Sequence, residues 1–196
     1  MRDVTRAEIL DLGAYEAIRL RFRDRIIAMK RHRRVAVGDH MTFIFENRDT
    51  VLFQIQEMLR TERITTESAI EHELRTYNDL VPGDGELSAT LMIEYDDDHK
   101  AERAEVLSKL ADLEGKVMLR AGGETSRAIL TRLPGEEPDR LPAVNYLRSP
   151  VSEALARHIE DASAEVLLQV EHPAYPFEAL LTAATRRELS ADLRER

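Results

Sequence analysis

Apolar residues recur along the chain with two periods, and the change from one to the other divides it. Up to about residue 82 the spacing is mainly three to four, the period of a helix. Thr5 and Glu8 have capping-box spacing, which predicts a short helix to residue 11, closed by Gly13. Tyr15, Ile18, Phe22, Ile26 and Met29 stripe a helix over 14–31, with Leu20 and Ile27 on its far side. Residues 35–37 and 41–45 read as two short strands around Gly38-Asp39, a hairpin signal. Val51, Ile55, Met58 and Leu59 stripe a helix over 50–61. Ile70, Leu74 and Tyr77 stripe another over 66–77, where Ser68 and Glu71 repeat the capping-box spacing. VPGDGE at 81–86 ends this part of the chain.

Beyond it, strands dominate. Residues 87–95, 116–121, 125–132, 143–148, 164–171 and 177–181 read as strands, and 99–113, 150–161 and 183–193 as helices. Asp96 to Asp98 supply an acidic helix start, Gly115 closes that helix, and Pro150 opens the next. Gly122-Gly123 turns a hairpin, LPGEEPDRLP at 133–142 is a loop, and HPAYP at 172–176 interrupts a strand. A helix-rich N-terminal third followed by a mainly antiparallel sheet with interleaved helices defines an α+β fold. The expected organisation is a single domain over 1–196, with a helix-rich subdomain at 1–82 and a sheet subdomain at 87–196. Stretches 87–121 and 143–171 share a β–α–β layout, which reads as a divergent repeat of a split β–α–β unit.

Composition narrows the function classes. The 196 residues include no cysteine, which excludes disulfides, thiol nucleophiles, Cys-ligated zinc and the usual iron–sulfur clusters. The N-terminal residues have no apolar signal region, and no run of about 18 apolar residues occurs, so a cytoplasmic protein without a membrane span is expected. A net charge of −9 argues against nucleic acid as a partner, and the absence of tryptophan argues against a stacking platform. The charge is uneven, however. Residues 19–34, RLRFRDRIIAMKRHRR, carry +7, so the remainder carries −16. Such a block is either a solvated helix face paired with the acidic remainder or a partner patch, and the first reading is the simpler.

Candidate chemistry concentrates at 45–78. Stepping about 100° per residue from Val51 puts Ile55, Met58 and Leu59 on one face, with Glu62 on it too if the helix runs one turn further. Phe53, Glu57 and Arg60 fall opposite, which predicts a second packed surface or a docking face there. Glu73 and Tyr77 flank the apolar stripe of the next helix. Gln56, Glu57, Arg60, Glu62, Arg63, Glu73, Tyr77 and Asn78 are therefore candidate binding residues, and Glu62 and Glu73 are placed to face each other across the turn. Two carboxylates with amide and tyrosine groups suit acid/base or hard-metal chemistry, whereas Arg60 and Arg63 suit a buried ion-pair network. His172, where Pro173 breaks a strand, is the ninth candidate, read otherwise as a turn residue bonded to nearby backbone. No HExxH, Glu-x-x-His, nucleophile or phosphate-loop motif occurs, so no metal or cofactor is expected and no catalytic residue is assigned.

RRVAVG (33–38), FENRDTVLFQIQEMLRTERI (45–64), ELRTYNDLVP (73–82), ATLMIEY (89–95) and EHPAY (171–175) together resemble an uncharacterised bacterial domain family of about this length. QIQEMLRTER is the specific run. Residues matching the family pattern include Glu46, Arg48 and Gln54 beside the nine candidates. The resemblance assigns no activity. It implies genes beside a rubrerythrin-like protein and an iron–sulfur oxidoreductase, and so an accessory or binding role in a redox or oxidative-stress system, without catalysis. The alternative is a small enzyme or metal-binding protein with a carboxylate/Tyr/His site. Leu20, Ile27 and Phe53 look like spare apolar contacts, consistent with a homodimer.

Overall fold

Fifteen helices and strands follow one another in the computed structural model, which describes residues 1–131 and 139–195. Asp11 caps helix α1 (Leu12–Lys30) by accepting the Ala14 N–H at 2.8 Å. Strands β1 (Arg34–Val37) and β2 (Met41–Glu46) form the expected hairpin. Helices α2 (Arg48–Thr61) and α3 (Glu67–Asn78) follow, α2 capped by Asn47. The second half runs β3 (Glu86–Ile93), α4 (Lys100–Lys109), β4 (Val117–Ala121), β5 (Glu124–Arg127), β6 (Ile129–Thr131), β7 (Val144–Pro150), α5 (Glu153–Glu160), β8 (Leu167–His172), β9 (Tyr175–Leu180) and α6 (Ala183–Arg194). Most of the predicted loop at 133–142 lies outside the described residues.

The strands form two antiparallel sheets, ordered β1-β2-β3-β7-β6 and β5-β4-β8-β9. The α+β class is therefore as the periodicity indicates, and the repeated layout has a specific form. A unit β2-β3-α4-β4-β5 is matched by β6-β7-α5-β8-β9, with β3 beside β7 in one sheet and β4 beside β8 in the other. Each helix crosses between sheets, so neither unit is a split β–α–β within a single sheet. The single strand expected at 125–132 is two. It breaks at Ala128, whose N–H turns to the Val117 carbonyl at 2.8 Å, and continues in the other sheet as β6. Helix α5 starts at the Ser152 cap rather than at Pro150, which ends β7 opposite Glu86.

One apolar core joins both sheets. In β3, Leu87, Ala89, Leu91 and Ile93 face it, together with Leu107, Leu110 and Leu113 after β3 and Leu155, Ile159 and Leu189 from α5 and α6. A second core, built on Val51, Ile55, Leu59, Ile70 and Leu74, joins α2, α3 and the N-terminal arm, and reaches Tyr146 of β7. The arm itself makes only a single tight turn at Arg6–Glu8.

Two of the resembling runs act as fasteners. The Tyr175 hydroxyl accepts the His40 and Met41 N–H groups at 2.9 and 3.1 Å and donates to the Val37 carbonyl at 2.8 Å, closing the β1–β2 turn against β9. Gly38 has φ +64, and a Cβ there would stand 2.6 Å from that hydroxyl, so only glycine fits. Buried Arg33 grips Asp192 of α6 with two bonds of 2.6 and 2.8 Å and reaches Glu188 at 3.2 Å. Buried Arg186 donates to the carbonyls of His158, Ile159, Asp161 and Ala164, satisfying the end of α5.

Candidate functional site

The amide candidates hold the N-terminal arm. Gln56 accepts the Leu10 N–H at 2.7 Å and donates to the Leu10 carbonyl at 3.3 Å. Asn78 treats Val4 the same way, at 2.8 and 3.0 Å. Each side chain thus replaces the neighbouring strand that an isolated extended segment lacks. Arg48 completes the fastening through the Arg2 and Asp3 carbonyls and the Glu8 carboxylate. That guanidinium, with the Thr5 backbone and hydroxyl, holds the Glu8 carboxyl down at about 2.

Glu57 is the centre of the α1–α2 contact. Its carboxylate accepts two bonds from Arg19, at 2.7 and 2.8 Å, and one from the Tyr15 hydroxyl at 2.7 Å. Arg60 Nε stands 3.5 Å from the same carboxylate, an ion contact rather than an aligned hydrogen bond. Arg19 foremost, against the cost of burial and with help from Tyr15, lowers this carboxyl to about 2. Burial and Glu57 push the Tyr15 phenol up. A carboxylate so engaged is committed as an ion-pair hub, not poised as a proton acceptor or a metal ligand. Phe53, the outer aromatic of α2, meets Phe22 of α1 edge-on at 5.5 Å, so the second face of α2 is packed under α1.

A further polar layer separates α2 and α3 from the five-stranded sheet. Buried Glu46 accepts the Thr90 hydroxyl at 2.8 Å, and its other oxygen faces Lys30 Nζ at 3.9 Å. Ser88 donates to the Leu80 carbonyl at 2.5 Å. Burial raises the Tyr77 and Tyr146 phenols, and Gln54 beside them opposes that rise.

Of the remaining candidates, Glu73 lies close enough to Tyr77 that its charge adds to the rise of that phenol, whereas Glu62, Arg63 and His172 join none of these groups. Helix α2 stops at Thr61, so Glu62 caps its end in solvent instead of continuing the apolar face. Arg63, at φ 53, turns the chain away and is exposed. Glu73 is half-buried on α3. His172 belongs to the β8–β9 turn, where Nδ1 accepts the Ala174 N–H at 3.0 Å and Nε2 donates to Asp112 at 2.8 Å. Both ring nitrogens are therefore occupied in the neutral tautomer. Among the described residues, no group of three or more His, Asp or Glu is placed to hold a metal ion.

What the polar pattern at 45–78 did not reveal is the surface of α1. Only Tyr15 and Ile26 of this helix are buried. Stepping about 100° per residue puts Leu20, Arg23, Ile27 and Arg31 on an outer ridge, and Ile18, Arg21, Phe22 and Arg25 on the flank toward the arm and α2. Leu20 is 71% exposed and Ile27 40%. Arg21, Arg23 and Arg31 make no ion pair among the described residues. Between the flank, Leu10 of the arm and Leu52 of α2 lies a groove of about 390 Å³. The alternation of Ile18 and Phe22 with Arg21 and Arg25 was the available signal.

Fold and site together define a protein in which two sheets carry a helical layer stitched on by paired polar side chains, with one sparsely covered basic helix outermost. The chain belongs to the family described as Protein of unknown function (DUF3501), whose model matches residues 3–193. It is similar to a novel protein of unknown function from Burkholderia pseudomallei K96243, known from a crystal structure at 1.90 Å resolution. The two share 33% identity and a TM-score of 0.88, over 98% of this chain and 100% of that one. No curated protein matches the chain. No helix among the described residues is long and apolar enough to cross a membrane.

Proposed function

We propose that the protein is a non-catalytic binding protein, acting in the cytoplasm, that docks an acidic partner protein along the outer ridge of α1. The observation that carries this is the division of labour among its cations. Arg19, Arg33, Arg48 and Arg186 are spent on internal partners, whereas Arg23 and Arg31 flank exposed Leu20 and Ile27 with no internal partner among the described residues. Apolar residues set between unpaired cations on a chain of net charge −9 suit an acidic surface with an apolar centre. A copy of this chain is a poorer fit at that ridge, since ridge would meet ridge with like charge in a two-fold dimer.

The partner class comes from the resemblance: an iron–sulfur oxidoreductase or a rubrerythrin-like protein of a redox or oxidative-stress system. The accessory role is supported by the engagement of Glu57 with Arg19 and Tyr15, which suits an ion-pair hub rather than an acid, base or ligand. Isothermal titration of each neighbouring gene product with wild type and with Arg23→Glu/Arg31→Glu tests the reading. One of the two is expected to bind at low salt, more weakly at high salt, with about tenfold or greater loss in the variant. Binding of neither, or binding indifferent to the variant, refutes it.

A further inference from the structure

The groove on the other flank of α1 has a chemistry of its own. It is walled by the arm, α1 and α2, and its position is fixed by the Gln56 clamp on Leu10 and the Glu57 hub between the helices. Each neutral or acidic polar group that lines it is already engaged. The Gln56 amide holds Leu10 with both ends, the Tyr15 hydroxyl donates to Glu57, and Glu8 is taken by Arg48 and Thr5. What the groove offers a ligand is apolar surface and cations. Leu10 and Ile18 are 38% and 42% exposed on its walls. Arg21 makes no ion pair among the described residues. Arg25 lies with its guanidinium carbon 5.1 Å from the centre of the Phe22 ring, sharing one nitrogen with half-buried Asp49 at 3.1 Å. Stacking on Phe22 restrains that guanidinium before any ligand arrives, which lowers the ordering cost of binding an anion.

We infer that this groove is a binding site for a small amphipathic organic anion, a single anionic head group on an apolar ring or short chain. The head group lies between Arg21 and Arg25, and the apolar body lies on Ile18, Phe22 and Leu52. A volume of about 390 Å³ is that of a small-molecule pocket rather than of a groove for a folded partner. A cationic ligand is disfavoured by the two arginines. A purely polar anion forgoes the apolar walls. This site is separate from the outer ridge, so it stands whether or not the docking reading holds.

The test uses 1-anilinonaphthalene-8-sulfonate, an aromatic anion of suitable shape, and its uncharged counterpart N-phenyl-1-naphthylamine. Amide shift mapping on the full-length chain is expected to place one equivalent of the sulfonate at residues 10, 18–25 and 52. Arg21→Ala/Arg25→Ala, at two exposed positions, is expected to weaken the sulfonate by about tenfold or more and the neutral probe by less than about twofold. Ile18→Asp is expected to weaken both, and Arg23→Glu/Arg31→Glu on the outer ridge neither by more than about twofold. Shift changes elsewhere, or sulfonate affinity unchanged in the arginine variant, overturn the inference. Unchanged amide spectra of the unliganded variants separate loss of the site from loss of the fold.

Discussion

The two-sheet half and the helical layer both carry many charged side chains, yet they use them differently. In the sheet half the two buried arginines face inward: Arg33, just before β1, grips α6, and Arg186 satisfies four carbonyls around the end of α5. The buried ends of those side chains have no freedom left to meet a ligand. The helical layer has the same kind of inner fastening in Arg48 and Glu57, but then adds a helix on the outside that buries only two of its residues. A helix gains most of its stability in a protein from burying an apolar face. One that leaves Leu20, Ile27 and several cations in solvent contributes less to the core than its length permits. Polar residues embedded among core residues are thus the structural ones here, and the less conspicuous mixture on α1 is the part that carries the proposed recognition surface.

That contrast is sharpened most by Arg33→Ala. It strands Asp192 in a buried position, and a loss of about 3–5 kcal/mol is expected by denaturant unfolding. A loss below about 1 kcal/mol would mean that the fastener is slack. Glu57→Gln comes next, at about 2 kcal/mol near neutral pH, because Arg19 loses its bidentate partner. The same variant carries a pH signature. The folded Glu57 carboxyl sits at about 2, below its ordinary value of 4.5, so its contribution is present above that ordinary value and is lost as pH falls toward 2. Wild type is therefore expected to lose stability more steeply than Glu57→Gln between those limits. Parallel pH profiles would contradict the hub.

Asn78→Ala releases one of the two clamps on the arm. About 1–2 kcal/mol is expected, with hydrogen exchange rising first over residues 1–11. Exchange rising uniformly along the chain would show that the arm is not a separate unit. The smallest effect is Glu62→Ala. As an exposed residue at the helix end it is expected to cost less than about 0.5 kcal/mol, and a loss of several times that would place it inside.

Glu62 also shows where reading the sequence stops. The stripes of α2 and α3, the β1–β2 hairpin and the α+β order were legible, because burial imposes a period on the residues that provide it. The end of α2 at residue 61 was legible too, but the reason no further turn carries Glu62 onto the apolar face was not, since Arg63 takes positive φ without the glycine or asparagine that normally marks such a stop. The outer face of α2 read, from Phe53, as either a second packed surface or a docking face, and its contact with Phe22 makes it the first. Its partner was not legible, because the contacts of Glu57 with Tyr15 and Arg19 span some 40 positions that only the folded chain brings together. Gln56 and Asn78 looked like site residues for a related reason: an amide that mimics a strand for a distant backbone has the same local signature as one that awaits a ligand. The sheet switch at Ala128 left no signal either, as both halves alternate normally.

In the proposed function, α1 is the recognition element and the remainder its scaffold. Hydrogen–deuterium exchange of the protein alone and mixed with the proposed partner, an iron–sulfur oxidoreductase or a rubrerythrin-like protein, tests it most directly. Protection confined to residues 16–31, and lost in Arg23→Glu/Arg31→Glu, is the predicted result. Protection centred on β5, β9 or the β8–β9 turn, with α1 unchanged, would contradict it.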